Sequence, residues 1–259
     1  LPVAELQAAA SVTFDRYGSD VLSYGAAAGP PPTIAFICER LAVVDARAPS
    51  PDEVVITAGN SHGLEQAVTM TARPGDAVLV EAPTYHLALR ILRDHPVEVV
   101  PVASDAGGLV ASAAADAIAA VRARGVTPRL LYTVPTYNNP TGVSLDAGRR
   151  QALVGLAATE HVTILEDDVY RELVYEGDPP ASLWSLAEPG TVIRLGSFSK
   201  SLSPGLRVGY MTADATIANA SVEGGLLESG GGISHIASLV VAEYARTGAY
   251  ATNVTHLRA

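Results

Sequence analysis

The amino-acid sequence predicts an α/β fold, a three-layer αβα arrangement in which a mostly parallel sheet is covered by helices on both faces. Three observations predict it. Short β-rich runs alternate with longer helical patterns from about residue 53 onward, the spacing of βαβ units. Several of the strand-like runs are apolar at every position, as strands covered on both faces require. The composition, 48% hydrophobic against 17% charged, suits a chain with much covered sheet.

The elements follow in order. EVVIT (53–57) precedes a helical pattern over 62–73, in which Leu64, Ala67, Val68 and Thr71 share one face at the i, i+3, i+4, i+7 spacing. AVLVEA (77–82) precedes a helix over 85–94 with Leu87, Ile91 and Leu92 on its inner face. VEVVPV (97–102) leads to a helix over 111–124, and RLLYTVP (129–135) to one over 146–158. VTILEDD (162–168), TVIRLGS (191–197) and LRVGYMTA (206–213) complete the strands. AAAGPPPT (26–33) is a Pro/Gly loop, and ESGGGIS (228–234) is a turn between the last two of two helical stretches that follow the sheet. At 259 residues the chain can bury the core of one large domain.

A formal net charge of −10 and a pI near 5.0 argue against a general attraction to nucleic acid or to an anionic membrane. An anion held by this protein must be held locally. Cys38 is the only cysteine, which excludes an intrachain disulfide and reads as a small buried thiol. No apolar run of about 18 residues occurs and no signal peptide opens the chain, so a cytoplasmic setting is expected.

In open α/β sheets ligands sit beyond the carboxyl ends of the strands, and there the sequence places its polar equipment. EVVIT runs into TAGNSHG, AVLVEA into PTYH, RLLYTVP into TYNNPTG, VTILEDD into VY and TVIRLGS into FSK. Lys200 stands three residues after Ser197, and a Pro-Gly turn can return Arg207 toward it. Hydroxyls with a guanidinium suit a phosphate, and a desolvated amine beside a cation has the lowered pKa a Schiff-base lysine needs. Asn60 and Ser61 stand where a helix's first turn exposes free N–H groups. Asp167 and Asp168 cannot point the same way while their strand lasts. Asn139, before a proline, is pushed toward extended geometry, and Tyr85 offers a flat face on which a ring can stack.

Gly59-Asn60-Ser61-His62-Gly63 also matches the nucleophile-elbow pattern G-x-S-x-G in a strand-to-helix context. That alternative makes Ser61 the nucleophile of a serine hydrolase, with Asp167 and His235 or His256 as partners. It leaves NNPTG and SFSK unexplained. A nucleotide-hydrolysing reading of the acidic strand end lacks any G-x-x-x-x-G-K-[ST] segment.

Taken together, and in this order, GNSHG, PTY, NNPTG, DDVY, SFSK and GLR resemble the fold-type I, class I/II aminotransferases that use pyridoxal 5'-phosphate (PLP). SFSKSLSPGLRVGY and EDDVYRELVY are most similar to the group holding 2-aminoadipate and aromatic aminotransferases and the aminotransferase-like domains of MocR-type regulators. The resemblance covers essentially the whole chain. It implies that Lys200 carries the Schiff base and then serves as general acid and base, and that Asp167 pairs with the pyridinium nitrogen. It further implies that Asn139 and Tyr170 bond the phenolic oxygen, that Tyr85 stacks on the ring, and that Asn60, Ser61, Ser197 and Arg207 cradle the phosphate. Tyr24 resembles a tyrosine that reaches the phosphate of a neighbouring subunit, which implies a homodimer acting on amino acids and 2-oxo acids.

On that resemblance residues 1–35 form an N-terminal segment with a dimer-contact loop, and 36–259 the PLP-binding large domain. The family continues into a C-terminal small domain supplying an arginine for the substrate α-carboxylate. That domain is expected to be missing here, and Arg258 is not matched to that arginine. Two alternatives to an aminotransferase stay open: another fold-type I activity, such as a lyase or decarboxylase, and a MocR-like domain that binds PLP with little turnover.

Overall fold

The computed structural model describes residues 1–45 and 47–259. Helix α1 (Val3–Tyr17) and helix α2 (Pro31–Val44) precede strand β1 (Val54–Thr57). Pro31 and Pro32 open α2, where a missing N–H is no loss and the fixed φ is already helical. Next come α3 (Asn60–Thr71), β2 (Ala77–Ala82), α4 (His86–Arg93), β3 (Glu98–Asp105), β4 (Gly108–Leu109) and α5 (Ala111–Ala123). They are followed by β5 (Pro128–Thr133), α6 (Ala147–Glu160), β6 (Thr163–Asp167), α7 (Leu183–Leu186), β7 (Val192–Ser197) and β8 (Gly209–Thr212). Helices α8 (Ala215–Val222), α9 (Gly225–Gly230), α10 (His235–Arg246) and α11 (Ala249–Arg258) end the chain. Asp146 and Asp214 cap α6 and α8 by accepting the N–H groups of Arg149 and Thr216, the orphan donors of a first turn.

The chain divides into two compact units. One comprises Leu1–Asn60, Val169–Asp178 and Gly196–Ala259, the other Ser61–Asp168 and Pro179–Leu195. In the second unit β2 pairs in parallel with β3 and β5, β5 with β6, and β6 with β7, while β4 folds back antiparallel on β3. The strand order there is β7-β6-β5-β2-β3-β4. Leu79, Leu131 and Ile164 from the strands, with Ile118, Leu153 and Trp184 from the helices, form its core. In the first unit β1 pairs antiparallel with β8, Val54 opposite Thr212. Its core joins Ile37 and Leu41 of α2, Ile56 of β1, Phe198, Val241 and Tyr244 of α10, and Tyr250 and Val254 of α11. This is the expected α/β fold with a mostly parallel sheet.

Several expectations change in detail. LRVGYMTA shortens to β8 because Pro204–Leu206 forms a 3₁₀ turn and Arg207 takes the left-handed region at φ 53°. VEVVPV extends to Asp105 and turns back through β4. On α4 the buried positions are Ala88 and Leu92, whereas Leu87 is exposed, since small Ala88 is the residue one turn before Leu92. Four helices follow the last strand rather than two, and Glu228–Gly230 belong to α9, which ends at left-handed Gly231. Glycines at both ends hide so short a helix from a propensity reading. Cys38, expected to be buried, is half-buried at the edge of the first unit's core, and burial raises its thiol pKa.

Candidate functional site

In the first unit several of the candidate residues lie around the turn that follows β7. Phe198 is buried and its carbonyl accepts the N–H groups of Leu202 and Ser203. The Ser201 hydroxyl accepts from Tyr250 at 2.8 Å, and its carbonyl accepts from Asn253 at 2.7 Å. These contacts hold both flanks of a tight turn and leave Lys200 exposed between them. The Lys200 ammonium lies 5.9 Å from the centre of the Tyr170 ring, within cation–π range. The sequence reading expected a desolvated amine, and the chain alone does not provide one. Ser197 Oγ accepts the Ser199 N–H at 3.1 Å and donates to Ser199 Oγ at 2.9 Å, so two hydroxyls meet at the strand end.

Arg207 turns back as expected. Its guanidinium donates to the carbonyls of Ala58 at 3.0 Å and Pro204 at 3.3 Å, and its own carbonyl accepts from Ser234 at 2.9 Å. Ala58 is followed by Gly59, at φ 79°, and by Asn60, the first residue of α3. A Cβ at Gly59 would stand 2.8 Å from Arg207 Nη2. A Cβ at Gly209 would meet the Gly196 carbonyl oxygen and Gly59 Cα at 2.9 Å. Glycine at both positions therefore lets the start of α3, the Arg207 guanidinium and the first residue of β8 come together as a close-packed cradle. Tyr24 is 86% exposed, free to reach outward.

In the second unit the acids at the end of β6 have separate tasks. Glu166 accepts the backbone N–H groups of Leu183 and Trp184, each at 2.9 Å, a buried carboxylate at the start of α7. Asp167 accepts the Tyr132 hydroxyl at 2.8 Å. Asp168 pairs with Arg194 at 2.9 Å, both side chains fully buried. The two aspartates thus turn to different partners, as strand alternation requires. Tyr132 is buried completely; burial first, then the Asp167 charge and hydrogen bond, drive its phenol pKa far up. Glu81, at the end of β2, accepts from the Thr133 hydroxyl at 2.7 Å and the Val134 N–H at 3.2 Å, and burial raises its pKa.

Asn139 is half-buried, in a cis peptide bond with Pro140. Its loop is clamped by Arg150, buried to 0% exposure, which donates to the carbonyls of Pro135 at 2.7 Å and Leu145 at 2.9 Å and to the Thr136 hydroxyl at 3.0 Å. Tyr85 immediately precedes α4, its side chain making no capping bond, and its ring stands edge-on to His86 with centres 5.7 Å apart. Ser61 is exposed in the first turn of α3. The hydrolase alternative draws nothing from these contacts: His235 Nε2 lies 3.1 Å from the Asp20 carbonyl oxygen, and Asp167 accepts from a tyrosine. Tyr132, Arg194 and Arg150 were not singled out from sequence. A charged residue within the apolar run TVIRLGS was the available signal for Arg194, since arginine is almost never fully buried unless paired.

Residues 19–240 match the family model for aminotransferase class I and II. The chain is 32% identical over 200 residues to aromatic-amino-acid aminotransferase 1 of Thermococcus litoralis, covering 77% of this chain and 48% of that protein. It is 35% identical over 161 residues to the HTH-type transcriptional regulator YjiR of Escherichia coli, covering 62% of this chain and 33% of that protein. The crystal structure of the α-aminoadipate aminotransferase LysN of Thermus thermophilus, complexed with N-(5'-phosphopyridoxyl)-L-leucine, superposes with a TM-score of 0.87 at 30% identity, covering 100% of this chain and 64% of that one. The chain spans at most about half the length of these curated relatives.

Proposed function

This chain belongs to the class I and class II aminotransferases, and from that premise we propose that it binds PLP through Lys200 and moves amino groups between L-amino acids and 2-oxo acids. The observation that carries the reading is the cradle around Gly59, where the start of α3 and the Arg207 guanidinium converge on space that a Cβ would fill. Free N–H groups of a helix's first turn and a guanidinium form the donor set a phosphate takes. The first unit also offers an exposed amine 5.9 Å from the centre of a tyrosine ring, and the second unit offers a buried carboxylate, the groups that an aldehyde on a basic ring calls for. The residues fit the group.

PLP, when bound, supplies an electrophilic carbonyl carbon and a protonated ring that accepts the electron pair released at the substrate's Cα. The protein's residues do the rest. Arg207, Asn60, Ser61 and Ser197 would hold the phosphate. Asp167 would keep the proton on the ring nitrogen, Asn139 and Tyr170 would donate to the phenolic oxygen, and Tyr85 would cover the ring's face. Lys200 Nζ would carry the covalent attachment and would be the base that moves a proton between the substrate's Cα and the cofactor's C4' carbon.

The test is direct. Purified protein mixed with PLP is expected to gain a visible absorption band, and borohydride is expected to leave a phosphopyridoxyl group on Lys200 in peptide maps. A colourless protein with unmodified Lys200 removes the proposal. Formation of a new amino acid from mixtures of L-amino acids and 2-oxo acids then separates the enzyme from the second reading. That reading, a PLP-binding regulatory domain, is favoured by the similarity to the transcriptional regulator. Loading without turnover selects it, or another PLP chemistry.

We also propose a homodimer in a reducing, cytoplasmic setting. Leu1, Val3, Phe14, Leu22 and Tyr24 all expose apolar side chains within the N-terminal segment. Sedimentation equilibrium is expected to return twice the chain mass of 26.7 kDa.

A further inference from the structure

We propose that Tyr132 is a positioning residue for Asp167, fixing which carboxylate oxygen faces the cofactor ring and keeping that carboxylate anionic. The inference rests on the reading of Asp167 as the partner of the ring nitrogen. Tyr132 stands on β5 and Asp167 at the end of β6, neighbouring strands paired in parallel with Tyr132 opposite Leu165. The Tyr132 hydroxyl donates to Asp167 Oδ2 at 2.8 Å, and the bond is buried.

A phenol that is fully buried, bonded to the Asp167 carboxylate and subject also to the negative charge of Glu81 keeps its proton throughout the working pH range. It is therefore always the donor, and Asp167 always the acceptor at Oδ2. Two consequences follow. The carboxylate cannot rotate freely about its last bond, so Oδ1 keeps one direction. A hydrogen bond to the charged form also lowers the basicity of the acid. A less basic Asp167 leaves a shared proton on a ring nitrogen rather than drawing it onto oxygen.

The experiment needs no cofactor. Protein carrying 13C-carboxyl aspartate is titrated by NMR without PLP, and the Asp167 resonance is assigned by its loss in Asp167→Asn. In Tyr132→Phe the Asp167 midpoint is expected to rise by about one unit, roughly a tenfold change in acid strength. In a separate titration, PLP affinity is expected to fall about tenfold, with the ring-protonated band of the loaded protein fading at a lower pH. An unchanged Asp167 midpoint in folded Tyr132→Phe overturns the proposal. If the phenylalanine variant does not fold, 3-fluorotyrosine placed at 132 alone keeps the shape and strengthens the donor. The midpoint should then fall, and no shift again overturns the inference. Failure of PLP to attach to Lys200 in the unaltered protein would instead defeat the cofactor reading, leaving the NMR result untouched.

Discussion

Gly59 shows how much one missing methylene group can decide. Its φ of 79° costs any other residue about 1 kcal/mol, and a Cβ would press on the Arg207 guanidinium at 2.8 Å. Gly59→Ala is expected to lower stability by roughly 1–2 kcal/mol in thermal unfolding and to weaken PLP binding about tenfold or more, since the displaced group is the proposed phosphate donor. Unaltered affinity would mean that the cradle holds something else. Lys200 is the opposite case. Its exposed side chain contributes little to folding, so Lys200→Ala should stay within about 0.5 kcal/mol of the parent while losing covalent attachment and turnover entirely. Ser61→Ala should only weaken PLP binding; a reversal of these two results, with Ser61 essential and Lys200 dispensable, would revive the hydrolase. Lys200, Arg207, Asn60 and Asp167 were legible as candidates because each sits at a strand end beside turn residues. Tyr132 was not, because a tyrosine inside an apolar strand looks like packing until its partner 35 positions away is known.

Between elements, buried carboxylates act as fasteners. Glu166 takes two backbone donors of α7 without any exposure to water, so Glu166→Gln, which can satisfy only one of them with its single oxygen, should cost about 1–3 kcal/mol in denaturant unfolding. Glu243 on α10 accepts from Tyr17 at 2.9 Å and pairs with Arg16 of α1 and with Arg246. Burial pushes its pKa up, but the hydrogen bonds from Arg246 and Tyr17 and the charge of Arg16 outweigh it and hold the pKa below the usual value. A carboxylate with a depressed folded pKa stabilises above its unfolded value, about 4.3, and that contribution disappears as pH falls through the folded pKa. Acid unfolding followed through α1 should therefore be less steep below about pH 4.3 in Glu243→Gln; an identical acid limb would show that the α1–α10 contact does not depend on this charge. The βαβ alternation was readable because period and length agree in each segment. The short β4 and the glycine-bounded α9 were not, since two residues or six hold no period to read.

For the molecule as a whole, a chain with net charge −10 must bind an anion against its own field, using local donors. Any ligand that binds only the folded state stabilises it by about 2.7 kcal/mol at a hundredfold excess over Kd. In a chain of this size that corresponds to a rise in Tm of roughly 5–10 °C. PLP should produce such a rise, free phosphate a smaller one, and Lys200→Ala should keep only the phosphate-like part. An equal shift from pyridoxal lacking the phosphate would contradict the cradle. The fold class and the cofactor end of the site could be read from the chain because they depend on local order along it. Pairings such as Arg194 with Asp168, joined only when strands come together, could not. Trp184 follows Leu183 at the amino end of α7, buried in the second unit's core. As the chain's only tryptophan, it makes intrinsic emission a private reporter for one unit. Set beside far-ultraviolet dichroism, which sees every helix, that emission would reveal whether the two cores melt together or in succession, with no label attached.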